Sequence, residues 1–133
     1  MADMILEPFS VSQRWRFKSP DVSREDSIAE YMEAIAHSCE ESGRCVVGHI
    51  KALALFPDGG FFQVSVVSPH LPAAKNGRVP TGCVDLKLSL NVIVYGLESP
   101  VLERIVWDAA DEIVKRHTEE VTIEAIEKAA SVE

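Results

Sequence analysis

Three groups of side chains in this chain belong to types that do chemistry. Glu30, Glu33, His37 and Glu40 stand at i, i+3, i+7 and i+10, so one helix face would project three carboxylates and an imidazole. His37, Cys39, Cys45 and His49 form a second set, with the donor types that zinc prefers. Neither set has the tight spacing of a structural zinc site, and on a helix His37 and Cys39 point in different directions. No metal site is expected, and Cys39 reads as a small core residue. Nucleophilic catalysis needs a thiol or hydroxyl beside a base that a third group orients. Cys83 and His70 are the one such pair that neighbouring strands bring together, and Cys83 reads more simply as an inert thiol opening a buried strand. No cofactor motif occurs, and no cofactor is expected.

The third group lies in the stretch "HLPAAKNGRVPTG", residues 70–82. It collects His70, Lys75 and Arg78 in an otherwise acidic chain, with Gly77 and Gly82 opening the backbone to close approach. Lys75 and Arg78 flank Asn76-Gly77, so a turn there presents two cations beside free N–H groups, an arrangement that captures phosphate or carboxylate. The plainer reading is a mobile, solvated connection. His49 and Lys51 share a strand face with Leu53 and Leu55. If that face is covered, the lysine needs a counter-ion, and Asp85 on a nearby strand is the natural one.

The elements that position these groups are legible in the pattern. "FSVSQRWRFK" alternates with Phe9, Val11, Trp15 and Phe17 on one side, interrupted there only by Gln13. "SREDSIAEYMEAIAHSCEESG" reads as a helix: Ser23 and Asp26 fit a capping box, Ile28, Met32, Ile35 and Cys39 make a stripe beside Tyr31, and Gly43 is placed to close it. "HIKALALFPDGGFFQVSVV" reads as a hairpin turning at Pro57-Asp58-Gly59-Gly60. With Phe56 paired to Phe61, Leu53, Leu55, Phe62, Val64 and Val66 share one face, and Ile50, Ala52, Ala54, Phe56, Phe61 and Val67 the other. A glycine bulge at the turn shifts this register by one. "CVDLKLSLNVIVYG" is the cleanest strand, with Leu86, Leu88, Leu90, Val92 and Val94 facing one way. "SPVLERIVWDAADEIVKRH" opens a helix at Ser99 and Pro100, with a stripe of Leu102, Ile105, Val106, Ala109 and Ile113 that Trp107, Ala110 and Val114 widen. The tail 118–130 reads as a helix capped by Thr118, with an added strand as the alternative.

The chain has 133 residues, 47% of them hydrophobic and 26% charged, which fits a single α+β domain over residues 1–133. The element order is β-α-β-β-β-α-α, an antiparallel four-stranded meander with helices packed on one face. Its αβββα part is similar in order to double-stranded-RNA-binding domains, but their basic residues at the start of the second helix are replaced here by Ser99, Pro100 and Glu103. "VDLKLSLNVIVYGLESP" resembles the strand-Tyr-Gly-turn-helix of the alkaline-shock protein family, whereas the hairpin before it departs from that pattern.

The net charge of −8 argues against a nucleic-acid surface, which draws its affinity from basic residues. An odd cysteine number, no signal-peptide pattern and no membrane-length apolar run point to a cytoplasmic protein with no membrane partner. Two helices cover one face of a four-stranded sheet and leave the other bare. Ala52, Ala54, Phe56, Phe61, Val67, Ile93 and Tyr95 would then form an exposed patch, and the wide apolar arc around Trp107 on the second helix is a further expected interface. The expected function is therefore a small non-catalytic homo-oligomeric interaction protein, a homodimer or larger, that serves as an adaptor, assembly factor or chaperone-like binder of another protein through that face. The alternative is a small-ligand enzyme or anion-binding protein with a pocket at the subunit interface under the 70–82 loop.

Overall fold

The two alternating stretches "FSVSQRWRF" and "DLKLSLNVIVY" become neighbouring interior strands of one sheet. The computed structural model describes residues 6–19, 23–43, 45–117 and 120–126. Its elements are β1 (Phe9–Phe17), α1 (Arg24–Glu41), β2 (Val46–Leu55), β3 (Phe61–Val66), β4 (Ala74–Gly77), β5 (Asp85–Tyr95), α2 (Ser99–Arg116) and β6 (Val121–Ala125). All strands join one antiparallel sheet in the order β4-β3-β2-β5-β1-β6. The α+β class holds, but the sheet has six strands rather than four.

Both extra strands are short pieces at the sheet edges. β4 lies inside the 70–82 stretch and pairs with β3. The tail, expected to be helical, forms β6 along the outer edge of β1. Val121, Thr122 and Ile123 are β-branched, and β1 offers them a ready ladder; that pairing outweighs the helical spacing of the tail. The expected cap, Thr118, lies outside the described residues.

α1 starts where the capping residues put it, with the Ser23 hydroxyl accepting from the Asp26 N–H at 3.3 Å. Ile28, Tyr31, Met32, Ile35 and Cys39 are all fully buried, and Gly43 takes the left-handed φ of 104° just past the end. α2 begins one residue earlier than expected, with Glu98 at the N-cap and no side-chain cap of its own. Glu7 supplies the missing acceptor, taking the Ser99 N–H at 2.8 Å and placing a carboxylate at the positive helix end. α1 lies over β2 and β3, α2 over β1 and β6, and the helices pack against each other on the same side of the sheet.

The hairpin register decides which residues meet those helices. Leu55, not Phe56, pairs with Phe61, so the register is shifted by one from the unbulged alternative. Ile50, Ala52 and Ala54 therefore align with Val66, Val64 and Phe62 on the helix side. The expected interface residues Ala52, Ala54 and Phe56 are core residues, 1%, 0% and 6% exposed. Their small size has a use: alanines on β2 let α1 approach the sheet, while Leu88, Leu90, Phe62 and Val64 beside them fill the volume.

Gln13, the polar interruption in β1, is fully buried. It accepts from Trp15 Nε1 at 3.0 Å and donates to the Tyr31 hydroxyl at 2.8 Å, tying the sheet to α1. Trp15 and Tyr31 also meet edge to face, with ring centroids 5.2 Å apart. Burial pushes the Tyr31 phenol well above its usual pKa, so the group stays neutral within the core.

Candidate functional site

Because side chains alternate along each strand, whatever points away from the helices forms a second surface, which no described element covers. Cross-strand pairing sorts it into rows. Ser65, Lys51, Asn91 and Ser10 line up across β3, β2, β5 and β1; Gln63, Leu53, Ser89 and Ser12 make the next row. Phe61, Leu55, Lys87, Arg14 and Glu124 follow, then Asp85, Arg16 and Thr122. Beyond the first row stand Ile93 opposite His49, then Tyr95 opposite Val46 and Leu6.

The face is thus banded. A hydroxyl- and amide-rich centre forms a hollow of about 400 Å³ whose lining includes Ser10, Ser12, Lys51, Gln63, Ser89 and Asn91. The Ser10 hydroxyl donates to Asn91 Oδ1, a bond that does not use the Asn91 amide N–H groups. Apolar side chains stand at both ends: Leu55 and Phe61, 42% and 48% exposed, at one, and Val46, Val67 and Tyr95, also exposed, at the other.

Charge is divided between the two sides of the sheet. α1 carries Glu25, Asp26, Glu30, Glu33, Glu40 and Glu41 against Arg24, and α2 carries Glu103, Asp108, Asp111 and Glu112 against Arg104, Lys115 and Arg116. The open face reverses the balance with Arg14, Arg16, Lys51 and Lys87 against Asp85 and Glu124. Arg14 forms a forked pair with Asp85, at 3.1 and 2.8 Å. Hydrogen bonding to Arg14 holds the Asp85 carboxyl below its usual range, against the opposing effect of burial. Lys51 and Lys87 are exposed and have no ion-pair partner among the described residues.

The expected partnership of Asp85 with Lys51 or His49 therefore gives way to Arg14. Asp85 sits at the opposite end of β5 from Ile93, which faces His49, with Lys51 opposite Asn91 between them. The 70–82 residues are also held apart from this surface. Acidic side chains of α1 take them one by one: Lys75 binds Asp26 at 3.1 Å, His70 binds Glu40 at 2.6 Å, and the N–H groups of Ala73 and Val79 donate to Glu33 and Glu25 at 2.9 and 2.7 Å. Of His70, Lys75 and Arg78, Arg78 alone is exposed with no ion-pair partner among the described residues. Gly77 fits this clamp because a Cβ there, at φ +89°, would sit 2.6 Å from the Phe61 carbonyl oxygen.

The remaining reactive types are occupied. Cys83, weighed above as a partner for His70, donates its thiol to the Asp85 carbonyl at 3.2 Å. Cys45 donates to the Cys39 carbonyl at 2.8 Å, and burial pushes the Cys39 thiol up to about 12, so it carries no thiolate at neutral pH. One constellation was not visible in the sequence. His117 Nε2 lies 3.2 Å from the Ser27 hydroxyl and 3.6 Å from Glu30. Both partners meet the same ring nitrogen, and buried Ser27 donates to the Ser23 carbonyl at 2.8 Å, so the trio lacks the relay of a hydrolytic triad. Among the described residues no group of three or more His, Cys, Asp or Glu side chains could hold a metal ion, and no helix is long and apolar enough to cross a membrane. Comparison with protein-family models, curated proteins and solved structures returns no match to this chain.

Proposed function

We propose that this protein is a non-catalytic interaction module whose helix-free sheet face takes an acidic, partly apolar segment of a partner protein. The observation that supports it is the reversal of character across the sheet: an acidic helix layer on one side, and on the other a hollow with uncompensated Lys51 and Lys87 between apolar ends. Such a face attracts carboxylates and offers Leu53, Leu55 and Phe61 to an apolar neighbour, while the helix layer repels the same partner. The expected cover by a second copy rested on Ala52, Ala54 and Phe56 together with Phe61, Val67, Ile93 and Tyr95, and only the first three lie in the core. With those in the core, the polar rows remain solvated without a cover.

A synthetic peptide alternating Glu with Leu, titrated into isotope-labelled protein at low salt, tests the reading. Amide shifts concentrated at Lys51, Leu53, Lys87, Ser89 and Asn91, lost in the Lys51→Glu, Lys87→Glu double variant, are the expected result. Shifts concentrated on α1 and α2, or an unchanged response in the double variant, would overturn it.

A further inference from the structure

The two edges of the sheet are not alike. β4, at one end, is four residues long, carries Lys75, ends at Gly77 and is clamped to α1. Those are the features that keep a strand edge from pairing with another chain. β6, at the other end, reads Val-Thr-Ile-Glu-Ala, with no proline, no lysine and no bulge. Its ladder fixes which backbone groups are spoken for. Ile126 N–H donates to the Ser12 carbonyl at 2.9 Å, and Lys18 N–H donates to the Glu120 carbonyl at 2.8 Å. Even-numbered residues therefore bond inward to β1, and the N–H and C=O groups of Val121, Ile123 and Ala125 point out of the sheet. None of these outward groups has a backbone partner among the described residues.

An apolar flank adjoins that edge. Glu112 and Arg116 face α1 across the groove between the helices, where Arg116 reaches Glu30 at 3.5 Å. Trp107, Ala110 and Val114 occupy the opposite side of α2, at i, i+3 and i+7. Since α2 lies over β1 and β6, that side overhangs the free edge. Ala110 is buried, while Trp107 and Val114 remain half-exposed.

We infer that β6 pairs antiparallel with β6 of a second copy of this chain, about a two-fold axis through Ile123. In that register Ile123 meets itself, Val121 meets Ala125 of the copy, and Thr122 meets Glu124 of the copy. The outward backbone groups then satisfy one another, and no like charges oppose. A two-fold axis perpendicular to the sheet keeps both helix layers on one side, so the Trp107 flanks approach each other over the new ladder. The pairing closes at two copies, because β4 guards the far edge. This surface is distinct from the open face and leaves it free for a partner.

Ile123→Pro tests the pairing cleanly, because the lost N–H points outward and the bond to β1 does not use it. Sedimentation of the whole chain should give twice the 14.6 kDa monomer mass for the wild type and the monomer mass for this variant, with unchanged far-ultraviolet circular dichroism. Should the proline unfold the chain, charge at exposed Thr122 is the second probe. Thr122→Glu places two carboxylates opposite each other twice and weakens the dimer about tenfold, whereas Thr122→Lys tightens it. Hydrogen exchange should show the amides of Val121, Ile123 and Ala125 protected in the dimer only, and those of Thr122 and Glu124 protected always. A wild-type monomer at high micromolar concentration, or a dimer indifferent to both Thr122 variants, would overturn the inference.

Discussion

Ala52 and Leu53 are neighbours on β2, yet they belong to two surfaces with opposite physics. Ala52 faces α1 in a dry layer with Ile50, Val64 and Leu90; Leu53 faces the open side among Gln63, Ser89 and Lys51. The smaller apolar residue is inside and the larger is half-exposed. Hydrophobicity alone does not choose the buried face of a strand. The choice falls to the face where cross-strand neighbours and a helix complete the packing, and β2 contributes small residues there so that the helix can come close.

The largest test of this contrast is a pair of glutamates. Ala52→Glu buries a carboxylate with no partner in the helix-side layer and should cost upwards of about 4 kcal/mol, enough to prevent folding. Leu53→Glu, one residue on, should stay within about 1 kcal/mol of wild type. Urea unfolding of both variants checks this; similar losses would mean that the two faces are not distinct.

Next in size is Gln13→Ala. It orphans Trp15 Nε1, removes the donor to the Tyr31 hydroxyl and leaves a void, so a loss of about 3 kcal/mol is expected. Tyr31→Phe, which keeps the packing, should cost about 1 kcal/mol. If Gln13→Ala proves no worse than Tyr31→Phe, the network does not hold the helix-side layer together.

What the sequence made legible follows this division. Periodicity placed the stripe of α1, the faces of β1 and β5 and the cap at Ser23, because those depend on local spacing. The register of the hairpin was open between two alternatives, and a single residue of slip moved Ala52, Ala54 and Phe56 from the proposed surface into the core. Nothing local in "PDGG" decides between them. β4 was missed and β6 stood only as the alternative to a helix, because each is made a strand by a neighbour remote in sequence, β3 with the carboxylates of α1 in the first case and β1 in the second. Of the site residues, Phe61, Ile93 and Tyr95 lie on the open face, and Val67 continues the outward alternation just beyond β3; Lys51 lies there with them, although the expected register set it with Leu53 and Leu55 on the face opposite Phe61. His70 and Lys75 were drawn away by Glu40 and Asp26, a pairing across 30 and 49 positions that spacing does not reveal.

The smallest expected effect is on pH dependence. The Asp85 and Asp26 carboxyls, bonded by Arg14 and Lys75, titrate below their usual range in the folded chain. A depressed folded pKa adds stability above the unfolded value near ~4 that is lost as pH falls through the folded value. Both pairs are solvent-exposed, so screening keeps the contribution small. Asp85→Asn should lower the melting temperature by about 2 °C at pH 7 and by less at pH 2. An equal drop at both would assign the loss to packing instead.

The central claim is that the helix-free face stands open and basic beneath an acidic helix layer. Soluble paramagnetic probes of matched size and opposite charge test it on the wild-type protein. The anionic probe should broaden Ser10, Lys51, Lys87 and Asn91 more than the cationic one does, with the order reversed at Glu33, Glu41 and Asp111. Open-face resonances shielded from both probes, or broadened most by the cation, would contradict the account.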